Sequence, residues 1–223
     1  MNTIAEIEAK NQEAILNLQT ATFGMGCFWS PDARFGAMPG VIRTRTGFAG
    51  GTTASPSYRK MGDHTETVQV DFDPSILSFE DILRAFWAHH TSTNRTSYGE
   101  RQYLSLLFYH NEQQKQAIER IKQELEDERN ERIETEIGPF TTFTQAEERH
   151  QKYHLKRFKR AAEELSAHFA LPDSFTDSTL TARLNGFVKE YTTLNKIEEE
   201  VQLWAIPDLS KEQLAAFIRR LRW

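Results

Sequence analysis

The segment from Thr20 to Asp32 reads Thr-Ala-Thr-Phe-Gly-Met-Gly-Cys-Phe-Trp-Ser-Pro-Asp and contains the single cysteine of the chain, Cys27. The small and β-branched residues up to Gly26 are typical of a strand. Ser30-Pro31-Asp32 is typical of a helix start, with a hydroxyl cap and a proline in the first turn. The sequence therefore predicts that Cys27 lies where a strand ends and a helix begins.

The residues around Cys27 suit a reactive thiol. The thiolate is the nucleophilic form of cysteine, and the partial positive charge at a helix N-terminus lowers a cysteine's pKa. Gly24 and Gly26 would let another molecule approach the backbone closely. We therefore predict a nucleophile with a lowered pKa. The alternative interpretation is a small, buried hydrophobic residue.

Patterns on either side of this segment predict a compact α+β domain. Alternating or apolar runs bounded by turn residues predict further strands at 41–48, 66–72, 103–109 and 133–137. Helical spacing behind a capping side chain predicts helices after Ser78 and Asn111.

Helical segments flank this domain on both sides. Residues 1–19 read as a short polar arm that packs loosely, with the apolar anchors Ile4, Ile7, Ile15 and Leu16. After Phe143 the strand-like alternation stops, and helices are predicted at 146–169, 180–191 and 210–222. With a boundary at Pro172-Asp173-Ser174, we expect an arm at 1–19, a central domain at 20–171 and a helical C-terminal extension at 172–223.

The last predicted helix carries an apolar stripe made of Leu214, Phe217, Ile218 and Leu221. An amphipathic helix normally covers a core with such a stripe, so we expect this helix to dock on the central domain. A lid over a functional site and a dimer contact are the alternatives.

Composition excludes several classes of protein. The 223 residues include 27 Lys and Arg against 32 Asp and Glu, and the net charge of -5 argues against a nucleic-acid surface. No apolar run approaches the roughly 20 residues that span a bilayer, and the N-terminal residues lack the pattern of a secretory signal. A single cysteine forms no internal disulfide and supplies no common structural zinc site. We therefore expect a cytoplasmic monomer without nucleic-acid or membrane partners.

Glu66 begins the third predicted strand, which reads Glu-Thr-Val-Gln-Val-Asp-Phe and ends at Phe72. A period of two places its carboxyl on the same face as Val68 and Val70. If that face is buried, desolvation raises the carboxyl's pKa and favours the protonated form, which can donate to an oxygen. The alternative is a strand-end residue that reaches solvent.

Gly26-Cys27-Phe28-Trp29 resembles the GCFW signature of the type A peptide methionine sulfoxide reductases, which reduce the S epimer of methionine sulfoxide. Seven further motifs of that family have counterparts in the same order between about residues 20 and 156: Pro39-Gly40-Val41, Gly47-Phe48-Ala49-Gly50-Gly51, Ser55-Pro56-Ser57-Tyr58, His64-Thr65-Glu66, Phe86-Trp87-Ala88-His89-His90, Gln102-Tyr103-Leu104-Ser105 and Ala146-Glu147-Glu148-Arg149-His150-Gln151-Lys152-Tyr153. The resemblance implies the family's fold, a compact two-layer α+β catalytic domain with a mixed sheet of ferredoxin-like type.

The resemblance also implies a mechanism. Cys27 would attack the sulfoxide sulfur and become a sulfenic acid, the first step of cysteine oxidation. Glu66 would give a proton to the sulfoxide oxygen, and Tyr58 and Tyr103 would hydrogen-bond the same oxygen. Repair of oxidised methionine would be the outcome.

Phe28 and Trp29 would, by the same resemblance, form an apolar pocket for the substrate's S-methyl group. The alternative is that either ring belongs to the core. His89 and His90 are interpreted as helix-end residues and His150 as a group that supports the site, so no metal is expected. The resemblance implies no organic cofactor.

The chain departs from the family at several positions. Ser30 stands where glycine usually follows GCFW, which gives Cys27-Phe28-Trp29-Ser30 the form of a monothiol redox motif. No aspartate occupies the family's usual acidic position before Tyr103, where Ser97 or Glu100 could substitute. A monothiol thiol-transferase or peroxide-reactive redox enzyme is therefore one alternative. A non-catalytic redox sensor or binding module for methionine sulfoxide is the other.

Recycling of the enzyme is the largest difference. Many relatives carry resolving cysteines in a C-terminal tail, whereas this chain has one cysteine and a helical extension. We therefore expect an external thiol to attack Cys27 directly after each turnover, with glutathione, thioredoxin or glutaredoxin as the reductant.

Overall fold

The computed structural model describes residues 3–15, 17–92 and 101–223. Its strands are β1 Gln19–Met25, β2 Val41–Ala49, β3 Thr65–Phe72, β4 Ser105–Tyr109, β5 Glu136–Pro139 and β6 Phe143–Gln145. Its helices are α1 Ile4–Glu13, α2 Trp29–Gly36, α3 Phe79–Ala88, α4 Glu112–Arg129, α5 Tyr153–Lys156, α6 Lys159–Ser166, α7 Pro172–Thr176, α8 Thr179–Phe187, α9 Leu194–Leu203 and α10 Asp208–Arg220. Short 3-10 turns occupy Arg101–Tyr103 and Glu148–His150.

The described strands form one mixed sheet in the order β5-β4-β1-β3-β2-β6. β1 pairs antiparallel with β3 and with β4, and β5 pairs parallel with β4. The C-terminal end of β1 therefore lies beside the N-terminal ends of both neighbours, where Met25 is paired with Ser105. This end of the sheet gathers the segments that carry Cys27, Glu66 and Tyr103, and the architecture confirms the α+β prediction.

The main core lies between the sheet and helices α2, α3 and α4. It contains Phe23 and Val70 from the sheet, Phe35 from α2, Phe86 from α3 and Ile118 from α4. All five are fully buried, and each such side chain stabilises the fold by about 1.5–3 kcal/mol relative to exposure. Each of these elements buries one apolar face, and for that reason the spacing of apolar residues in the sequence predicts it.

Helix α3 begins as its sequence predicts. The hydroxyl of Ser78 accepts a hydrogen bond from the backbone N–H of Asp81, and the Asp81 carboxylate accepts one from the N–H of Ser78. This reciprocal capping box satisfies two backbone donors that the first turn leaves free. Asn111 likewise caps α4 by accepting from the N–H of Gln114.

A second apolar core joins the N-terminal arm to the C-terminal helices. Ile4 and Ile7 of α1 are 1% and 0% exposed in it, so the prediction of a loosely packed arm is wrong. A spacing of three residues places both side chains on the same face of α1, and their burial attaches the helix to this core. The stripe of α10 is buried in the same core, which also includes Leu155 and Leu165. Leu16 lies outside the described residues.

Charged side chains fasten the C-terminal extension to the sheet domain. Arg45 on β2 makes a bidentate ion pair with Asp177, at 2.7 Å for both bonds. Arg183 of α8 is 1% exposed and donates to the carbonyls of Gly36 and Val41, again at 2.7 Å. These directed bonds fix where α8 lies relative to α2 and β2.

The structure corrects several predicted strands. Tyr103 lies in a 3-10 turn, and β4 begins only at Ser105. The strand predicted at 133–137 is shifted to Glu136–Pro139, because pairing with β4 determines its register. β6 was not expected, since its three residues carry no alternation and are held by pairing with Gly47 to Ala49.

The C-terminal helices are shorter and more numerous than predicted. The helix expected at 146–169 is divided into a 3-10 turn, α5 and α6, and Lys152 interrupts it with φ 52° and ψ 42°. Those angles are left-handed, so the right-handed helix stops there. α7 and α9 were not expected, whereas α8 and α10 match the predicted helices to within a few residues.

Candidate active site

Cys27 lies between β1 and α2, as the sequence predicts, and its side chain is exposed. The preceding Gly26 has φ +81°, a conformation that L side chains rarely adopt, so glycine is required for the turn. The helix begins at Trp29 with Phe28 at the cap position, so Ser30 is not the cap that was expected. The first turn closes instead through the N–H of Asp32, which donates to the Phe28 carbonyl.

Glu66 is fully buried beside this turn. One carboxyl oxygen, Oε2, accepts the backbone N–H of Phe28 at 3.1 Å, and Oε1 accepts Nε2 of Gln102 at 2.8 Å. Its position on the inner face of β3 agrees with the sequence-based expectation and excludes the solvent-facing alternative. Phe28, which follows Cys27 in the chain, is thereby hydrogen-bonded directly to the buried carboxyl of Glu66.

Two phenols extend this hydrogen-bonded group. Nε2 of Gln102 also donates to Oη of Tyr103 at 2.9 Å, and Tyr58 lies close enough to Tyr103 for each phenol to affect the pKa of the other. Both tyrosines are half-buried. Cys27, Glu66, Tyr58 and Tyr103 are therefore gathered at one end of the sheet, although they come from separate segments of the chain.

The site disfavours negative charge. Burial raises the pKa of Glu66, and Gln102 and the Phe28 N–H only partly oppose this. Burial and the neighbouring Glu66 raise the pKa of Tyr103 to about 12 and also raise that of Tyr58. A buried carboxyl in such surroundings favours its protonated form at higher pH than it would in water.

The thiol does not have the lowered pKa that the sequence suggested. Partial burial raises the pKa of Cys27 first, and the carboxylate of Glu66 raises it further. The backbone N–H of Trp29 opposes both effects without overcoming them. A thiolate and a carboxylate side by side repel each other, so the site stabilises one negative charge at a time rather than two.

The two aromatic residues predicted to form the pocket differ in position. Phe28 is 1% exposed and belongs to the main core, where its ring contacts Phe48 at a centroid distance of 6.0 Å. Trp29 is half-buried and stacks face to face on Tyr153, with centroids 3.7 Å apart and an interplanar angle of 4°. Nε1 of the same indole donates to Nδ1 of His150 at 3.3 Å.

Sequence reasoning missed the roles of Gln102 and Tyr153. Gln102 bridges Glu66 and Tyr103, and its only sequence signal was its place beside Tyr103 in a motif. Tyr153 likewise belonged to a motif whose contacts could not be read from the chain. Ser97 and Glu100, considered as substitutes for the family's acidic residue, lie outside the described residues.

The histidines interpreted from the sequence, His89, His90 and His150, occupy supporting positions. His89 caps the C-terminus of α3, and the ring of His90 contacts the Phe86 carbonyl and the Ser105 hydroxyl. His150 supports Trp29, as interpreted from the sequence. Within 3–15, 17–92 and 101–223, no group of three or more His, Cys, Asp or Glu side chains could hold a metal ion. Nor does this part of the chain contain a helix long and apolar enough to span a membrane.

Residues 19–178 match the family model described as peptide methionine sulfoxide reductase. A peptide methionine sulfoxide reductase of Drosophila melanogaster is 39% identical over 194 residues, which cover 86% of this chain and 77% of the relative. The relative named MsrA from Methanococcus maripaludis strain C5 is 40% identical over 149 residues, covering 63% of this chain and 94% of its own.

Solved structures show the same similarity. Methionine sulfoxide reductase A of Corynebacterium diphtheriae superposes with a TM-score of 0.54 at 28% identity, over 62% of this chain and 74% of that one. Mxr1 from Saccharomyces cerevisiae in reduced form gives a TM-score of 0.57 at 25% identity, over 62% and 85%. The family match covers the segments that bring Cys27, Glu66, Tyr58 and Tyr103 together. The chain is an oxidoreductase and belongs to the peptide methionine sulfoxide reductase family.

Proposed function

We propose that this methionine sulfoxide reductase acts on the S epimer, with Cys27 as the nucleophile and the segment 20–171 as the catalytic domain. The convergence of the exposed thiol with the buried, hydrogen-bonded Glu66 is the observation that carries the proposal. Phe28 links the two, because it follows Cys27 in the chain and its N–H binds Glu66.

In the reaction, the sulfur of Cys27 attacks the sulfoxide sulfur while the sulfoxide oxygen receives a proton from Glu66. The hydroxyl then moves from the substrate sulfur to the Cys27 sulfur while the S–S bond made by the attack breaks and its electron pair returns to the substrate, so methionine and a cysteine sulfenic acid are formed. The substrate sulfur gains two electrons, and the cysteine sulfur loses two. The thiol proton returns to Glu66, which restores the protonated acid.

The raised pKa of Glu66 supports its role as the proton donor. A carboxyl whose pKa is raised by burial keeps its proton to higher pH than a carboxyl in water, and that proton can pass to an oxygen that gains negative charge. Tyr58 and Tyr103 would donate to the same oxygen, and the raised pKa of each keeps its hydroxyl proton in place. Trp29, half-buried at the start of α2, would contact the S-methyl group of the substrate. Phe28 would support that contact from the core.

An external thiol would complete the cycle. It attacks the Cys27 sulfenic acid, releases water and leaves a mixed disulfide, which a second thiol reduces to free Cys27. Exposure of Cys27 gives such a thiol access, whether from glutathione, thioredoxin or glutaredoxin. A reducing cytoplasm, where thiols remain reduced, is the compartment that suits this cycle, and we propose that the enzyme acts there as a monomer.

Turnover of separated epimers tests the proposal. The protein is incubated with each epimer of a blocked methionine sulfoxide and dithiothreitol, and the thioether is measured, with Cys27→Ser as the control. We expect thioether from the S epimer alone and none with C27S. A folded protein without S-epimer turnover would overturn the proposal.

Two companion measurements identify the alternatives in that case. Reduction of a glutathione mixed disulfide without sulfoxide turnover would indicate a monothiol thiol-transferase. Binding of the sulfoxide without turnover, measured by calorimetry, would indicate a sensor or binding module.

A further inference from the structure

Helix α8 of the C-terminal extension packs directly on α2, the helix that follows Cys27. A Cβ added at Gly186 would lie 2.5 Å from Cβ of Ala37 and 2.7 Å from the carbonyl oxygen of Ala33. A Cβ added at Gly36 would lie 2.8 Å from the carbonyl oxygen of Ala182. The absence of a side chain at Gly36 and at Gly186 therefore lets the backbones of α2 and α8 approach closely. Helix α8 is packed directly against the domain that holds the site.

Asn185 on α8 enters a buried polar cluster that includes the first turn of α2. Its Nδ2 donates to Oδ2 of Asp32 at 3.0 Å, and its Oδ1 accepts the N–H of Leu155 at 2.9 Å. The Asp32 carboxylate also accepts from the Thr44 hydroxyl and from both the backbone N–H and Nζ of Lys152. Asp32, Thr44, Lys152 and Asn185 are all 0% exposed, so water cannot replace a lost partner.

Lys152 is held by this cluster in an unusual backbone conformation. Its φ of 52° and ψ of 42° are left-handed, which bulky L residues rarely adopt without support. Bonds from its N–H to Oδ2 and from Nζ to Oδ1 of Asp32 supply that support. Asn185 shares Oδ2 of Asp32 with the Lys152 N–H and fixes Leu155, so it holds the turn from the other side.

The left-handed turn determines where the neighbours of Lys152 point. His150 and Tyr153 both contact Trp29, one through a hydrogen bond to the indole and the other through face-to-face stacking. His150 also stacks on Tyr58 with centroids 4.3 Å apart. The backbone conformation of Lys152 therefore determines the positions of His150 and Tyr153, which hold Trp29. His150 also borders Tyr58, one of the phenols proposed to bind the sulfoxide oxygen.

We propose that Asn185 is a positioning residue for sulfoxide reduction, which acts through Asp32 and Lys152 to hold His150 and Tyr153 against Trp29. The C-terminal extension is thereby part of the substrate pocket's support, although it contributes no group to the chemistry. This inference rests on the proposed function, in which Trp29 contacts the S-methyl group.

Steady-state kinetics of two substitutions test the catalytic side of the inference. Asn185→Leu keeps a branched side chain of similar shape but removes both hydrogen bonds, and Asn185→Ser is the milder variant. Because misplaced binding groups weaken substrate contacts, we expect KM for the S epimer to rise about tenfold while kcat changes less than about twofold. Val201→Ala is the matched control, since Val201 is buried in the second core and makes no bond to the Asp32 cluster.

A combination with Trp29→Phe tests the route of the effect. If Asn185 acts through Trp29, N185L should raise KM by less than about twofold in the W29F background. A full tenfold rise there would overturn the route through Trp29. An unchanged KM in N185L and N185S, with a lowered urea midpoint like that of V201A, would show a purely structural residue and overturn the inference.

Acrylamide quenching of Trp29 fluorescence gives a readout that needs no substrate. The contribution of Trp29 is the difference between each protein and its W29F partner, because the chain has three other tryptophans. We expect N185L and N185S to increase the quenching of Trp29 and V201A to leave it unchanged. Equal quenching in all four proteins would overturn the inference. Absence of turnover in the unmodified chain would instead overturn the proposed function and leave this measurement valid.

Discussion

The carboxyl of Glu8 links the stability of this protein to pH. Glu8 is 3% exposed on α1, and its Oε1 accepts the backbone N–H of Leu180 at 2.6 Å. Within the described part of the chain, Oε2 has no hydrogen-bond partner. Burial raises the pKa of Glu8 from 4.5 to about 7, against weaker opposing effects from hydrogen bonds and the charge of Arg183.

The size and direction of the effect follow from this shift. The folded state binds the Glu8 proton more tightly than the unfolded state does, so its contribution is fully present below pH 4.5 and is lost as pH rises through about 7. At about 1.4 kcal/mol for each pH unit, the loss amounts to about 3 kcal/mol. Glu8→Gln keeps the neutral shape and the acceptor for Leu180 but cannot ionise. The variant should therefore exceed the parent's stability by about 1 kcal/mol or less near pH 5 and by up to about 3 kcal/mol at pH 8.

Urea unfolding of both proteins, followed by circular dichroism at half-unit steps from pH 5 to 8, measures this difference. Other titrating groups act in parent and variant alike and cancel when the two are subtracted. Glu13→Gln is the matched control for removing a carboxylate from α1, because Glu13 is exposed on the same helix. A difference for E8Q that stays constant from pH 5 to 8 would refute the reasoning.

Three further predictions concern the site and its support. Glu66→Gln keeps the acceptor for the Phe28 N–H but has no proton to give. Turnover should therefore fall roughly a hundredfold at pH 7 and much less at acidic pH, where solvent supplies the proton. An equal loss of turnover at every pH would exclude Glu66 as the proton donor. Tyr103→Phe should lower kcat roughly a hundredfold at unchanged fold, as judged by circular dichroism, because one oxygen-directed donor is lost; full activity would exclude that role. Gly186→Ala should lower the free energy of unfolding by about 1–3 kcal/mol, because its Cβ would meet Ala37. Gly138→Ala, where a Cβ meets nothing within 4 Å, should cost far less, and similar urea midpoints for the two variants would contradict the close packing of α2 and α8.

Residues with a strong local signal were predicted well from the sequence. The capping box of Ser78 and Asp81, the strand that buries Glu66 and the junction at Cys27 all depend on patterns within a few residues. The family motifs then indicated which of those residues belong together. Local patterns thus located Cys27 and Glu66, and only the resemblance to the family grouped them with Tyr58 and Tyr103.

Features set by distant contacts could not be predicted. The pKa of Cys27 depends on partial burial and on Glu66, which outweigh the helix end that the sequence displays. The break at Lys152 occurs in a helix-favouring segment, because bonds to Asp32, 120 positions away, stabilise a left-handed residue there. Burial of Ile4 requires the C-terminal helices, and nothing near residue 4 indicates them.

A single-turnover experiment without reductant tests the central claim most directly. Equal amounts of the reduced protein and an S-epimer peptide sulfoxide are mixed, quenched with a sulfenic-acid trap and analysed by peptide mass spectrometry. The mechanism predicts about one methionine formed per chain, with the adduct of the sulfenic-acid trap on Cys27 and no product from the R epimer. Methionine formation with an unmodified Cys27, or equal formation by Cys27→Ser, would contradict attack by this thiol.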